Sequence, residues 1–107
     1  MPKIINRGDI YWAELDPTVG AEIQKTRPVA ILSITAINKV RKTVIVVPLS
    51  TTSKEVKYIN VVLTGGSTAR CDQLRSIDKS RLRKQIGSLS PTDLEKISEG
   101  VSKVLGV

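Results

Sequence analysis

Pro28 to Ile34 (PVAILSI) is a nearly unbroken apolar run, and no other stretch limits the possible folds so strongly. A strand with one wet face alternates apolar and polar residues. A continuous apolar run belongs instead to a strand covered on both faces or set deep in a barrel. Thr43 to Leu49 (TVIVVPL) repeats the pattern with β-branched residues, and Pro48 near its end predicts an edge or a bulge, because proline has no N–H to donate. Around this pair, Ile10 to Leu15 and Lys57 to Thr64 alternate as strands. Ala69 to Asp78 mixes basic residues with Cys71, Leu74 and Ile77 as inward candidates, and Gln85 to Leu89 is a short last strand. Turn chemistry separates them at Arg7-Gly8-Asp9, Asp16-Pro17 and Gly65-Gly66-Ser67, with a tight or helical turn at Ser80 to Arg83. Thr35 to Lys42 is too polar for core and reads as a loop that holds about one helical turn.

The clear helix is C-terminal. Ser90 is a natural N-cap, Pro91 fits the first helical position, and Asp93 and Glu95 sit where the helix dipole favours acids. Leu94, Ile97, Val101 and Val104 or Leu105 then share one face, a stripe for core packing, although Gly100 weakens the pattern. The sum is a mainly β chain of six or so short antiparallel strands with a C-terminal helix. That composition fits a small closed or half-closed barrel better than a sandwich. At 107 residues the chain is expected to form one domain, 1–107, with a core that needs no disulfide or metal.

The net charge of +7 is uneven. Arg70, Arg75, Lys79, Arg81, Arg83 and Lys84, against Asp72 and Asp78, concentrate more than half of the excess between residues 70 and 85. Such clustering suits a polyanion, whether nucleic acid, an anionic membrane or an acidic protein. With no histidine and the single cysteine Cys71, Cys/His zinc sites, disulfide frameworks and histidine-based catalytic pairs are unavailable within one chain. Cys71 is expected to be a reduced structural thiol. The N-terminal residues lack an apolar signal segment and no run reaches membrane-spanning length, so the expectation is a soluble, cytoplasmic protein without a membrane partner.

Chemistry gathers at strand ends. Arg27 stands where a polar loop of about ten residues meets the apolar run, and Pro28 biases it toward extended backbone, giving its guanidinium a defined direction. At the end of the second run, Ser50-Thr51-Thr52-Ser53-Lys54 supplies hydroxyls and a cation. If the two strands are antiparallel neighbours, the start of one lies beside the end of the other, and the arginine faces a hydroxyl. That outlines a phosphate site; the alternative is a solvated arginine, or one paired with Glu22.

Gly8-Asp9-Ile10-Tyr11-Trp12, Asp16-Pro17-Thr18-Val19-Gly20-Ala21-Glu22, Thr26-Arg27-Pro28-Val29, Val47-Pro48-Leu49-Ser50-Thr51 and Asp72-Gln73-Leu74-Arg75 through Leu82 closely resemble, in order and spacing, the MazF/PemK family of toxin endoribonucleases. The likeness runs from about residue 7 into the C-terminal helix. It implies a small antiparallel SH3-like barrel of the CcdB/PemK-like plasmid maintenance toxin fold. It also implies a homodimer, specific cleavage of single-stranded RNA such as mRNA without a metal or other cofactor, and a cognate acidic antitoxin. By position, Arg27 matches the family's catalytic arginine and Ser50 its catalytic hydroxyl, with Thr51 as the neighbouring hydroxyl. Glu22 matches a family acid, as a proton acceptor or as the ion-pair partner of Arg27 or Lys25. Gln73 matches an RNA-contacting position, and its amide suits the base edges of an unstacked strand. Lys25, Lys54, Arg75 and Lys79 are phosphate contacts or a solvated face. Tyr11 and Trp12, adjacent in a strand, should face opposite sides, one into the core and the other toward a partner or RNA. Two other functions stay open: a gyrase-inhibiting toxin of the same fold, which would produce no RNA fragments, and a non-catalytic RNA-binding barrel, which would retard RNA in a gel without cutting it.

Overall fold

The computed structural model describes residues 3–15, 26–51 and 59–107. Its strands are β1 (Asp9–Glu14), β2 (Thr26–Ile31), β3 (Thr43–Ser50), β4 (Asn60–Val62), β5 (Thr68–Arg70), β6 (Arg75–Asp78) and β7 (Leu82–Ser88), with helices α1 (Thr35–Val40) and α2 (Pro91–Leu105). The strands form one antiparallel sheet in the order β4-β5-β3-β2-β1-β7, and β6 also joins β3.

β3 is the shared element. On one side it pairs with β2 through Val29↔Pro48, Ala30↔Val47 and Ile31↔Val46. On the other, β6 covers its first half, from Thr43↔Asp78 to Val46↔Arg75, and β5 covers its end through Leu49↔Ala69 and Ser50↔Thr68. This exchange of neighbours corrects two expectations. Pro48 lies within the sheet, not at an edge or bulge. Neither the β6 nor the β5 ladder pairs with it, so a residue without an N–H is tolerated there. The single strand expected over Ala69 to Asp78 is two strands, broken by a 3-10 turn at Cys71–Gln73. Cys71 therefore sits in a turn, buried.

The unbroken apolarity of β2 is explained by two clusters, one on each face of the sheet. Val29 and Ile31 join Tyr11, Ala13, Val44, Val46 and Ile77 in the first. Ala30 and Leu32 join Val47, Leu49, Leu63, Cys71 and Ile97 in the second, which α2 covers. Tyr11 and Trp12 part as alternation requires, Tyr11 being 1% exposed and Trp12 39%.

Residues 35–40 form a short helix of six residues, somewhat more than the single helical turn within a loop that their polarity suggested. The reason is a satisfied buried amide. Asn38 Nδ2 donates to the Ile5 carbonyl at 2.9 Å and to the Ser33 carbonyl at 3.0 Å, while its Oδ1 accepts from Ser33 Oγ. Ser33 Oγ in turn accepts from the Ile45 N–H at 3.0 Å, so one polar knot fastens α1 to β3.

α2 begins as its cap predicts, with the Asp93 N–H donating to Ser90 Oγ at 3.1 Å, and ends at Gly106 in left-handed backbone. Buried Asp93 does more than complement the dipole: its Oδ1 accepts from the N–H and the hydroxyl of Thr64, at 3.0 and 3.1 Å, and ties the β4–β5 turn to the helix. Leu94, Ile97, Val101 and Val104 pack into the second cluster, whereas Leu105 is exposed. Gly100, which looked like a flaw in the helix, is a contact point. A Cβ there would lie 2.6 Å from Cys71 Sγ and 3.2 Å from Val61 Cγ1. Gly100→Ala should therefore destabilise the fold by about 1–3 kcal/mol through overpacking, despite the better helix propensity of alanine. Adding Cys71→Ala should recover part of that loss in urea unfolding, and a Gly100→Ala protein at least as stable as the parent would contradict the contact.

Candidate phosphate-binding site

The β2–β3 pairing ends at Val29↔Pro48, and Arg27 and Ser50 each lie two residues beyond it on adjoining strands. The same register, if continued, would set them level. Arg27 alternates with Val29 and Ile31, and Ser50 with Val46 and Val44, all four apolar residues being in the first cluster. The guanidinium and the hydroxyl thus share one face, at the end of the sheet where the apolar filling stops. Arg27 is exposed and Ser50 half-buried. On its other flank Arg27 pairs with Ala13 of β1, which is fully buried and adds no competing polar group.

The remaining expected residues are spread more widely. Thr51, exposed, lies one residue beyond the end of β3, whereas Ser50 is its last residue. Gln73 ends the 3-10 turn between β5 and β6 and is exposed. Arg75 opens β6 level with Val46 and alternates with the inward Ile77, which puts it on the Arg27 face. Lys79 does not join them: its N–H donates to the Lys42 carbonyl at 2.8 Å, beside the opposite end of β3. Glu22, Lys25 and Lys54 lie outside the described residues.

Sequence reasoning passed over Thr68, fully buried and directly opposite Ser50, and counted Arg70 only as charge. Arg70 follows Thr68 by two residues, on the same face. Its Nε makes no hydrogen bond, and Asp72 Oδ1 lies 3.9 Å away. A β3–β5 pairing would have exposed both residues, but two short strands separated by the β4 hairpin leave no periodic signal.

The basic run is not one free patch either. Arg83 pairs with Glu14 at 3.0 Å and donates to the Ser80 carbonyl, and Arg81 donates to the Glu14 carbonyl. These bonds hold the turn before β7 against β1. Asp78 accepts from the Ser80 N–H at 2.8 Å, and its hydrogen bonds with Ser80, aided by Arg81 and Lys42, hold its carboxyl below the usual range. A cavity of about 250 Å³ lined by Arg7, Leu32, Ile45 and Val101 among others opens on the second-cluster face, away from Arg27. Among the described residues no three His, Cys, Asp or Glu side chains gather as a metal would need, and no helix is long and apolar enough to cross a membrane.

A cation with five fixed donors beside a hydroxyl, on rigid strand ends, can hold a phosphodiester by its non-bridging oxygens. Comparison with known proteins points the same way. Residues 6–105 match the family model described as PemK-like, MazF-like toxin of type II toxin-antitoxin system. The chain is 34% identical to Endoribonuclease PemK of Escherichia coli, over 94% of this chain and 82% of that protein. It is 30% identical to Endoribonuclease MazF of Staphylococcus saprophyticus, over 97% and 93%. Its fold superposes on a MazE-MazF crystal structure from Deinococcus radiodurans with a TM-score of 0.84 at 23% identity, covering 99% of both chains. The chain belongs to the PemK/MazF family of endoribonuclease toxins, mainly antiparallel β with a C-terminal helix.

Cys71 takes no part in this chemistry. Burial, with the nearby charge of Asp72, pushes its thiol up to about 11 from the ordinary 9.0. Because the folded state favours the protonated thiol, the associated stability is complete below pH 9 and is lost as pH rises toward 11. Iodoacetamide at pH 8 should therefore leave Cys71 unmodified in the folded protein and alkylate it in urea; prompt labelling of the native protein would contradict a buried structural thiol.

Proposed function

We propose that this protein is a toxin that cuts single-stranded RNA, mRNA included, at short specific sequences, with Arg27 and Ser50 acting on the scissile phosphate. The observation that supports the reading is the β2–β3 register, which, if continued past Val29↔Pro48, would set Arg27 level with Ser50. The 2′-hydroxyl attacks the adjacent phosphorus, a new P–O bond closes the 2′,3′-cyclic phosphate, and the bond to the 5′-oxygen breaks. The attacking hydroxyl gives up a proton and the 5′-oxygen gains one. No metal or other cofactor is required for that exchange. Arg27 stabilises the extra negative charge on the five-coordinate phosphate through paired hydrogen bonds, and Ser50 donates one more. Since a guanidinium is almost never deprotonated in proteins, Arg27 serves as electrostatic stabiliser and donor toward the leaving oxygen. The proton acceptor is a separate group, for which Glu22 is the candidate.

Arg75, Lys25 and Lys54 would add phosphate contacts, Gln73 would read base edges, and Thr51 would flank the site. Lys79, at the far end of β3, would touch only RNA that extends along the sheet. The protein would work in the cytoplasm as a homodimer and be restrained by an acidic antitoxin, in keeping with its +7 charge.

Arg27→Ala should lower the rate of RNA cleavage about 10²–10³-fold, the scale of one lost oxyanion donor, with the melting temperature unchanged. Cleavage by the parent should persist in chelator and leave 2′,3′-cyclic phosphate and 5′-hydroxyl ends. A fully active Arg27→Ala protein, or fragments ending in a 5′-phosphate, would defeat the reading.

A further inference from the structure

Ala13 is paired on both sides, with Arg27 of β2 and with Leu82 of β7, so Leu82, Ala13 and Arg27 form one row across three strands. Ala13 and Leu82 pack in the first cluster, and the row therefore lies on the face that carries Arg27. A methyl group offers the arginine no side-chain wall on that flank. The place of the guanidinium depends instead on where the backbone of β1 lies. On its β7 side that backbone is held irregularly: the ladder shifts register between Tyr11↔Gln85 and Ala13↔Leu82, which leaves Trp12 facing two residues, Arg83 and Lys84. A bulge of this kind disrupts the ladder locally and bends the strand. Side chains close the gap. Arg83 Nη2 donates to Glu14 Oε2 at 3.0 Å and Arg83 Nη1 to the Ser80 carbonyl at 2.7 Å, while Arg81 Nη1 donates to the Glu14 carbonyl at 3.4 Å. Glu14 is the last residue of β1 and lies opposite Thr26, the residue before Arg27.

We infer that Arg83 is a positioning residue: by gripping Glu14 beside the bulge it fixes the end of β1, and through the Ala13↔Arg27 and Glu14↔Thr26 pairs it fixes where Arg27 meets the phosphate. Stability does not explain the pair. With 48% and 42% of the two side chains exposed, water and salt leave it little to add to the fold. Geometry does explain it, because the planar fork of an arginine reaches two acceptors at once and so ties the turn at Ser80 to the end of β1. Displacing a catalytic group by about 1 Å can cost up to about 10²-fold in rate, so a contact of small stability can matter greatly to turnover.

The inference rests on the reading of Arg27 as the phosphate stabiliser, and the experiment separates the two. Steady-state cleavage of one defined RNA at fixed salt is compared for the parent, Arg27→Ala, Arg83→Ala, Glu14→Ala and the double variant Glu14→Ala/Arg83→Ala, with melting temperatures for each. Arg83→Ala should lower kcat about fivefold with KM changed less than about twofold. Glu14→Ala should lower kcat by a similar factor, although the two substitutions change the net charge in opposite directions. The double variant should be no worse than either single one, and melting temperatures should stay within about 5 °C of the parent. A raised KM with parental kcat in Arg83→Ala would mark a direct phosphate contact and overturn the role, as would parental kcat in Glu14→Ala beside a loss in Arg83→Ala. A kcat loss that tracks a larger fall in melting temperature would mark general loosening of the fold and overturn it too. Parental kcat in both Arg83→Ala and Glu14→Ala, with cleavage lost in Arg27→Ala, overturns the positioning role alone. Parental kcat in Arg27→Ala overturns the Arg27 reading and this inference together.

Discussion

Everything at the proposed site depends on the register between β2 and β3. Three residue pairs, Val29↔Pro48 to Ile31↔Val46, lock the strands, and a slip of one residue would turn every side chain of β2 to the wrong face. Such a slip is heavily penalised here because both faces are apolar cores that differ in shape: Val29 and Ile31 fill one, Ala30 and Leu32 the other. The energy that specifies the register is hydrophobic burial, at about 25 cal/mol per Å² of apolar surface. It leaves Arg27 and Ser50 on adjoining strands, each two residues beyond the last pair. Core packing thus sets the geometry of two polar groups that make no contribution to the core.

The same economy explains the rest of the scaffold. β3 serves three neighbours, and the two short strands on its far side are joined by a turn whose Cys71 is buried. α2 presses on that turn closely enough that only glycine fits at position 100. Asp93 reaches from the helix to the β4–β5 turn, so the strand that carries Thr68 is anchored at both ends by α2. Side chains borne on such strands lose little further entropy when a ligand binds, which suits a site that works by fixed electrostatics.

Much of this was legible in the sequence, for physical reasons. The strong apolar runs at 28–34 and 43–49 announced buried strands, and because consecutive strands tend to be neighbours, their antiparallel pairing could be expected. Ser90 and Pro91 marked the start of α2 because capping is local. What stayed hidden depended on distant partners. Residues 35–40 are polar, yet they form a helix because the Asn38 amide finds the Ile5 and Ser33 carbonyls. Pro48 signalled an edge because nothing local reveals that β3 changes neighbours at that point. Arg81 and Arg83 looked like part of a binding surface, but Glu14, far away in sequence, engages both. Thr68 was invisible until its strand partner was known.

In the proposed mechanism Arg27 and Ser50 act as one unit on the same phosphate. Single-turnover cleavage of one defined RNA by Arg27→Ala, Ser50→Ala and the double variant tests it most directly. Groups that act together are strongly non-additive, so the double variant should be much less impaired than the product of the two single effects. A double variant whose loss equals that product would mean that the two residues work independently, and would contradict the account.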